Sequence, residues 1–320
     1  MSATITLDDR VARRLREQNP GLDVGPLEPL PGGHSGLTYK VRTGGGDLVV
    51  KAVPEGQRPV GRHDMVRQAR IMETLGATAV PVPRIVTVDE DGPAWFAMEC
   101  VAGESLEPVL DTPAVEPAVA AARMRRAAEV LPLLHAVPLD TIPAAGDPLS
   151  PAAELARWQR TLDAVPPELV TGGEALLRLL AADVPDGMAP TLVHGDYRLG
   201  NILARGTEPA ALIDWEIWSL GDPRVELGWF LVFADGANFP GVGRAVPNLP
   251  SEDELIDLYT GDQPALPDMH WFNALGRLKM AAIMGHNLRR HREGRHHDPD
   301  QERLPDTIAQ LIRSGTALLA

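Results

Sequence analysis

Three polar side chains, Asp196, Asn201 and Asp214, have the types and the spacing that phosphoryl transfer requires. Asn201 follows Asp196 by five residues, and Asp214 lies thirteen residues beyond Asn201. In phosphoryl transfer one Asp meets the acceptor hydroxyl, while an Asn and a second Asp hold the magnesium ions that neutralise the nucleotide phosphates. Because residues 191–193 and 210–213 are largely apolar, both turns are expected to follow strands. The spacing therefore predicts Asp196 as the catalytic residue and Asn201 and Asp214 as magnesium ligands.

The turn before Asn201 contains two further informative residues. Gly195 allows a tight backbone between His194 and Asp196. His194 is interpreted as an orienting core histidine that holds the turn by a hydrogen bond, and not as a base.

Asp222, which precedes Pro223, is interpreted as a structural helix cap.

Lys51 lies inside the apolar run of residues 48–53. A buried strand rarely carries a lysine unless the ammonium has an anionic partner. Taken alone, Lys51 favours an edge strand that faces solvent. Its place after a Gly-rich turn and before a helix favours a lysine on the third strand that pairs with nucleotide phosphates.

The Gly-rich turn at residues 30–39 is the candidate phosphate-binding loop. Glycines let the backbone approach phosphate oxygens, and a serine hydroxyl can donate to them. The candidate residues of this turn are Gly32, Gly33, Ser35 and Gly36. A Gly-rich hairpin by itself is also typical of an ordinary β-turn. The chain has neither the Walker A pattern nor Gly-x-Gly-x-x-Gly, which argues against P-loop and Rossmann nucleotide sites.

The elements that position these residues form a strand-rich N-terminal part and a helix-rich C-terminal part, which meet near residues 99–103. In the first part the apolar spacing predicts helices at 7–18 and 62–76 and strands at 23–30, 37–42, 47–53, 84–88 and 95–101. In the second part it predicts two short strands within 191–214 and helices at 113–136, 151–164, 173–184, 224–235, 252–260, 268–292 and 300–319. The Pro/Gly-rich stretches at 137–152 and 236–250 are expected to be loops.

Composition narrows the class of protein. The 320 residues are 44% hydrophobic and 23% charged, which are globular values, and the formal net charge is −14. An acidic surface argues against nucleic acid and anionic membranes as partners. The single cysteine, Cys100, excludes intramolecular disulfides and cysteine-based zinc sites. With neither a signal peptide nor a membrane span visible, we expect a soluble, cytoplasmic protein.

Taken together, these residues resemble the aminoglycoside phosphotransferase and choline kinase-like family, which shares the protein-kinase fold. The resemblance rests on the motifs at residues 194–201 and 214–223, the Gly-Gly-x-Ser turn before Thr38-Tyr39, and Val-Pro-Val-Pro-Arg at 80–84. Within that family the motifs are most similar to the kinase-like domains associated with acyl-CoA dehydrogenases. The resemblance implies an α+β, two-lobed fold, with a small β-rich N-lobe at 1–101 and a larger α-helical C-lobe at 102–320.

The same resemblance implies a kinase site that uses ATP, or another nucleoside triphosphate, and Mg²⁺. It assigns catalytic acid/base chemistry to Asp196, magnesium to Asn201 and Asp214, ATP phosphates to Lys51, and adenine to the Glu99 carbonyl and the Val101 N–H. Two positions depart from the family pattern. Gly36 stands where an Asn is usual, and Gln68 stands where a Glu usually pairs with the lysine. An amide can still accept a hydrogen bond from Lys51, but without charge assistance.

The acceptor is predicted to be a small-molecule hydroxyl. The resemblance favours a hydroxyacyl-CoA-type acceptor, and an aminoglycoside or another antibiotic is the alternative. The basic residues between 277 and 295 would suit a phosphate-rich acceptor, and the acidic residues between 252 and 262 would suit a cationic antibiotic. Each group is equally compatible with an ordinary charged surface that contacts only solvent. A nucleotide-binding pseudokinase, suggested by Gln68, is the alternative from another class.

Overall fold

The computed structural model describes residues 6–30, 37–54, 56–58, 60–143, 146–295 and 297–320. The chain forms two compact units. The first contains Met1–Ala102, Asp140–Ala144 and Ala210–Ile217, and the second contains Gly103–Leu139, Ala145–Pro209 and Trp218–Ala320. The division into lobes at residues 1–101 and 102–320 stays a prediction of the sequence.

The first unit is built on a five-stranded antiparallel sheet with the strand order β1-β2-β3-β5-β4. Its elements are α1 (Leu7–Gln18), β1 (Val24–Pro29), β2 (Leu37–Thr43), β3 (Leu48–Ala52), α2 (Met65–Leu75), β4 (Ile85–Asp89) and β5 (Trp95–Glu99). Lys51 pairs with Thr38 of β2 on one side and with Phe96 of β5 on the other. The lysine therefore lies on an inner third strand, and the edge-strand interpretation is wrong.

The two faces of β3 differ in their environment. Leu48, Val50 and Ala52 alternate along the strand and are buried in one cluster with Val11 and Leu15 of α1. Because successive side chains of a strand point to opposite faces, Lys51 lies on the face away from this cluster. The apolar alternation thus buries one side of β3 against α1 and leaves the other side for the ammonium.

The second unit is mostly helical. Its helices are α3 (Pro117–His135), α4 (Pro151–Asp163), α5 (Gly173–Ala182), α6 (Pro223–Leu231), α7 (Glu252–Thr260), α8 (Met269–Arg292) and α9 (Pro305–Ala317). The observed starts of α3 and α9 are later than the predicted starts at 113 and 300. Both helices begin at a proline, since the first helical turn does not need the N–H that proline lacks.

Four short strands occur in the region of the chain that contains the catalytic motifs. They are β6 (Thr191–Val193), β7 (Ile202–Arg205), β8 (Glu208–Leu212) and β9 (Ser219–Gly221), and they form the pairs β6–β9 and β7–β8. The expectation of two strands within 191–214 is therefore wrong, because three occur there. A tight turn at residues 206–207 separates β7 from β8, and the short apolar run at 202–204 is sufficient for an extra strand.

Helices α6 and α8 pack closely through Gly228 and Gly276. A Cβ atom added to Gly228 would lie 2.4 Å from the carbonyl oxygen of Phe272. A Cβ added to Gly276 would lie 2.5 Å from the carbonyl oxygen of Gly228. Both distances are shorter than any normal carbon–oxygen contact, so only glycine permits this approach. The crossing fixes α6, which carries Glu226 and Trp229, against α8.

Helix α8 has 24 residues, which is enough to cross a hydrocarbon layer. Its buried residues include Arg277 and Lys279, however, and four basic residues occupy its last turn. Among the helices that the structure describes, none is both long and apolar enough to span a membrane.

Candidate active site

The carboxylate of Asp196, in the turn after β6, receives N–H donors on both oxygens. Oδ1 accepts from Trp229 Nε1 at 3.1 Å, and Oδ2 accepts from Asn201 Nδ2 at 2.7 Å and from Arg198 Nε at 3.4 Å. Asn201 also donates to the Asp196 carbonyl at 2.9 Å. The side chain of Asp196 remains 25% exposed. The structure therefore brings Asp196 and Asn201 together, and it presents a fixed carboxylate that solvent reaches.

The backbone of this turn depends on Gly195 and His194. Gly195 has a φ of 88°, in the left-handed region that glycine adopts without strain. The fully buried His194 accepts the Asp196 N–H on Nδ1 at 3.2 Å. The interpretation of His194 as an orienting core residue is confirmed by this contact.

The side chain of Glu226, on α6, holds the backbone of the same turn. Sequence reasoning did not identify this residue. Its buried carboxylate accepts the N–H of His194 at 2.5 Å and that of Gly195 at 2.8 Å. Burial alone would raise the pKa of Glu226, but His135, His194 and these N–H donors hold the pKa below its ordinary value. The only local signal was a carboxylate within the apolar run that forms α6. Glu226 is thus a buried anion that fixes the backbone next to Asp196.

A second buried acid, Glu107, lies next to Arg198. Its Oε2 is 3.9 Å from Arg198 Nη1 and accepts the Gly200 N–H at 3.3 Å. Within the described part of the chain, Oε1 has no hydrogen-bond partner. Burial raises the pKa of Glu107 to about 8, although Arg198 and Gly200 partly oppose that effect. Arg198 therefore lies between the carboxylate of Asp196 and an acid whose raised pKa favours its protonated form near neutral pH.

In the first unit, Lys51 Nζ donates to Asp214 Oδ1 at 2.9 Å. The Lys51 side chain is 11% exposed and that of Asp214 is 37% exposed. The sequence assigned the lysine to phosphate and Gln68, whereas the structure pairs it with Asp214. A carboxylate is the stronger partner because its charge assists the hydrogen bond.

Asp214 has a φ of 69°, in a region that residues other than glycine seldom adopt. Such a conformation costs about 1–3 kcal/mol and persists only where the surroundings impose it. The flanking contacts do so, because Leu212 donates to the Pro81 carbonyl at 2.7 Å and Trp215 Nε1 donates to the Leu212 carbonyl at 3.0 Å. Strained residues of this kind cluster at functional sites, which agrees with the role predicted for Asp214.

Gln68 occupies the buried face of α2, with an exposure of 2%. The helix is capped by Asp64, whose side chain accepts the Arg67 N–H at 2.9 Å. Met65, Ala69 and Met72 share the buried face. The structure thus places Gln68 among core residues, in the helix where the family pattern expects a glutamate.

Glu99 and Val101, the candidate adenine contacts, lie at and after the end of β5. The Glu99 side chain is exposed and accepts from Arg84 Nε at 2.9 Å. The Glu99 N–H donates to the Arg84 carbonyl, and the Cys100 N–H donates to the Asp47 carbonyl. These bonds use other atoms than the Glu99 carbonyl and the Val101 N–H, to which adenine recognition was assigned. The remaining candidates, Gly32, Gly33, Ser35 and Gly36, lie outside the described residues.

The basic residues between 277 and 295, all described by the structure, do not share one exposed patch. Arg277 and Lys279 are buried. Most of the others form ion pairs, namely Arg289 and Arg295 with Glu293, and Arg292 with Glu302. The acidic group is also divided, since Glu252 pairs with Arg277 and Glu254 pairs with Arg125. Neither group forms a uniform surface for one class of acceptor.

Among the described side chains, no group of three or more His, Cys, Asp or Glu residues could hold a metal ion. A magnesium ion that binds together with a nucleotide takes most of its ligands from phosphate oxygens and water. Asn201 fits that chemistry, since its NH₂ faces Asp196 and its oxygen is turned away from that carboxylate. Asp214 offers a partly exposed carboxylate.

Comparison with known sequences gives a family and a longer relative. The model of the phosphotransferase enzyme family (APH) matches residues 26–271, which is well over half of the chain. A Gallus gallus protein named acyl-CoA dehydrogenase family member 11 is 28% identical over 272 residues. That alignment covers 78% of this chain but only 35% of the relative, so the chain spans about a third of the relative's length.

Comparison with solved structures supports the fold. A candidate aminoglycoside phosphotransferase from Ralstonia eutropha has a TM-score of 0.78 at 24% identity, with 97% of this chain and 98% of that chain covered. The aminoglycoside phosphotransferase APH(4)-Ia, in a ternary complex with AMP-PNP and hygromycin B, has a TM-score of 0.61 at 19% identity, with 95% and 98% covered. These likenesses confirm the predicted two-lobed α+β fold of the protein-kinase type.

The family match also confirms the predicted class of enzyme, a phosphotransferase. The likeness to an acyl-CoA dehydrogenase family member confirms the branch of the family that the motifs indicated. By the extent of the family match, this chain belongs to the phosphotransferase enzyme family.

Proposed function

We propose that the chain is an ATP- and Mg²⁺-dependent phosphotransferase that transfers the γ-phosphoryl group to a hydroxyl of a small molecule. The observation that carries this proposal is the Asp196 carboxylate, whose two oxygens are held by Trp229 and Asn201 and which remains partly exposed. Because the transition state of phosphoryl transfer is loose, positioning the acceptor contributes more than removing its proton. Asp196 would accept a hydrogen bond from the acceptor hydroxyl and take its proton as the new oxygen–phosphorus bond forms and the bond between the γ-phosphorus and the ADP oxygen breaks.

The nucleotide phosphates would be bound by Lys51 and by the Gly-rich turn. Lys51 supplies an ammonium that already has an anionic partner in Asp214, so its position is fixed before a nucleotide binds. Gly32, Gly33, Ser35 and Gly36 are proposed to donate N–H and hydroxyl groups to phosphate oxygens. Adenine would be read by the Glu99 carbonyl and the Val101 N–H. A structural neighbour bound to AMP-PNP supports the use of a nucleoside triphosphate.

Asn201 and Asp214 are the proposed magnesium ligands. When bound, Mg²⁺ would neutralise negative charge on the nucleotide phosphates. Asn201 offers a neutral amide oxygen, whose direction is set by the hydrogen bonds from its NH₂ to Asp196. Asp214 offers a carboxylate on a backbone that its neighbours hold at a positive φ.

For the acceptor we propose a hydroxyacyl-CoA-type molecule. The support is the likeness to a protein named for acyl-CoA dehydrogenase chemistry. The basic residues between 277 and 295 add no support, because those nearest the start of this range are buried and most of the others are ion-paired. An aminoglycoside is the second candidate, favoured by the exposed Asp253 and Asp257 on α7.

The test is a screen for acceptor-dependent ADP release from Mg-ATP. Hydroxyacyl-CoAs, aminoglycosides, macrolides and choline-like alcohols are the acceptor classes. One class is expected to increase ADP release, and Asp196→Asn is expected to lower that rate at least about 100-fold. Asp306→Asn, the same change in the exposed first turn of α9, is the matched control and should retain the rate. Activity that survives Asp196→Asn would refute the catalytic assignment, and Mg-ATP binding without turnover would indicate a pseudokinase.

A further inference from the structure

A buried lysine in the second unit contacts the groups that support Asp196. Lys279 of α8 is only 5% exposed, and its ammonium donates to the carbonyl of Gly195. The Nζ atom lies 3.8 Å from the ring centroid of Trp229 and 5.2 Å from that of Trp158. The partners of this cation are thus one carbonyl of the catalytic turn and the faces of two indoles.

Burying the charged ammonium of Lys279 costs free energy unless neighbouring groups offset its loss of hydration. Burial lowers the pKa of Lys279 to about 8 and Arg157 opposes its charge, while Asp196, Glu154 and Glu226 attract it. A cation over an indole face is stabilised by about 2 kcal/mol or more when water is excluded. An apolar side chain would fill the same space without the desolvation cost, so the charge itself requires an explanation.

The geometry of Trp229 supplies one. Its ring face lies against Lys279, while its Nε1–H donates to Asp196 Oδ1 at 3.1 Å. A cation over the face draws electron density from the ring, which makes the indole N–H a better donor. Lys279 therefore reaches Asp196 by two routes, through the Trp229 N–H and through the Gly195 carbonyl next to Asp196 in the chain.

We propose that Lys279 and Trp229 form a positioning relay that holds Oδ1 of Asp196 in its reactive orientation. Asn201 holds the other oxygen, Oδ2. Asn201 also has a proposed magnesium contact, whereas Lys279 and Trp229 have none. The relay therefore orients the Asp196 carboxylate through residues that do not bind the metal. The catalytic consequence rests on the proposed function, whereas the coupling between Lys279, Trp229 and Asp196 does not.

The coupling is tested by NMR on the full chain, without nucleotide or acceptor. The protein has six tryptophans, and Trp229→Phe identifies the indole N–H resonance that belongs to Trp229. Lys279→Met is expected to move this resonance upfield, as Asp196→Asn does, because both changes weaken the hydrogen bond. Lys40→Met is the matched control, since Lys40 pairs with Asp47 at 2.7 Å, and it should leave the resonance in place. An unmoved or downfield resonance in Lys279→Met would overturn the relay.

The catalytic consequence is tested with Mg-ATP and the acceptor found by the ADP-release screen. Trp229→Phe keeps an aromatic ring but removes the N–H, and it is expected to lower kcat about 10- to 100-fold with little change in KM for ATP. Lys279→Met should lower kcat similarly, and the loss in the double variant should be well below the product of the two single losses, because both changes act on the hydrogen bond from Trp229 to Asp196. Multiplicative effects would show independent roles and overturn the relay.

Two outcomes separate the relay from the proposed function. If wild-type protein turns over no acceptor, the proposed function fails and the NMR experiment still decides the coupling. If Lys279→Met does not fold, Lys279→Gln takes its place, and Trp229→Phe tests the kinetic effect by itself. A Trp229→Phe variant with wild-type kcat would refute the positioning role whatever the lysine variants show.

Discussion

The carboxylate of Glu226 accepts the backbone N–H of Gly195 at 2.8 Å, so a buried anion on α6 holds the residue next to the candidate catalytic aspartate. The same carboxylate accepts the His194 N–H at 2.5 Å. Hydrogen bonds to a charged group contribute about 1.5–3 kcal/mol each, more than bonds between neutral partners. The turn is thus anchored to a helix through its backbone, independently of the side-chain contacts of Asp196.

Replacing Glu226 by Gln should destabilise the protein by about 1–3 kcal/mol, because one buried N–H loses its acceptor and the other loses charge assistance. The measurement is urea unfolding at pH 7. Since the pKa of Glu226 is lowered in the folded state from a reference of 4.5, its contribution is present above that value and is lost as the pH falls. The difference between the variants should therefore shrink in acid. Glu208→Gln, an exposed pair with Arg126, is the control, and an equal effect there would contradict the anchoring role.

Glu107 should have the opposite effect on the pH dependence of stability. Its pKa is raised to about 8 in the folded state from a reference of 4.5. Between these values the folded protein keeps the proton that the unfolded chain has lost, so stability falls as the pH rises. Glu107→Gln removes this titration, and its free energy of unfolding relative to wild type should increase from pH 5 to pH 8. A constant difference across that range would show that Glu107 is ionised in the fold.

Lys51→Met should separate stability from activity. Its partner Asp214 is 37% exposed, so the ion pair should contribute less than about 1 kcal/mol to the free energy of unfolding. Loss of the proposed phosphate contact should nevertheless lower kcat/KM for Mg-ATP at least about tenfold. Chemical unfolding and ADP release are the two measurements. Lys40→Met removes a lysine from another ion pair and should leave both unchanged, whereas retained turnover in Lys51→Met would refute the phosphate role.

Gly276→Ala should destabilise the helix crossing of the second unit. The added methyl group would lie 2.5 Å from the Gly228 carbonyl oxygen, which is backbone and cannot rotate away. Overpacking of this kind costs about 1–3 kcal/mol. Thermal and urea unfolding measure the effect. Gly76→Ala is the control, because its Cβ would meet its nearest atom at 3.4 Å, and a comparable loss there would show a general cost of the substitution.

Local patterns predicted the elements well because most of the needed information is local. The bounds of α1 and α7 agree with their predicted ranges, since amphipathic spacing and capping residues lie within a dozen residues. Lys51 was placed on the third strand for a similar reason, because an apolar run enclosed it. The same reasoning failed at 206–207, where a two-residue turn gives an additional strand.

The contacts within the candidate site were less accessible to sequence reasoning. Glu226 and Trp229 support a turn that lies about thirty residues earlier, and Asp214 meets Lys51 across 163 residues. No periodicity links such pairs, because they meet only when separate elements pack. Gln68 led to an expected weak partner for Lys51, whereas the fold supplies a carboxylate from a distant segment. Chemistry at a motif was therefore readable, but the groups that support the motif were not.

The first unit is assembled from segments that are far apart in the chain, which has a consequence for folding during synthesis. Residues 210–217 belong with the sheet of residues 1–102, yet the ribosome makes them more than a hundred residues later. A nascent chain that ends before residue 210 therefore lacks Asp214, the partner of Lys51, and the Leu212 N–H that Pro81 accepts. The sheet should remain incompletely stabilised during synthesis, and its last contacts should form only after much of the helical unit has left the exit tunnel.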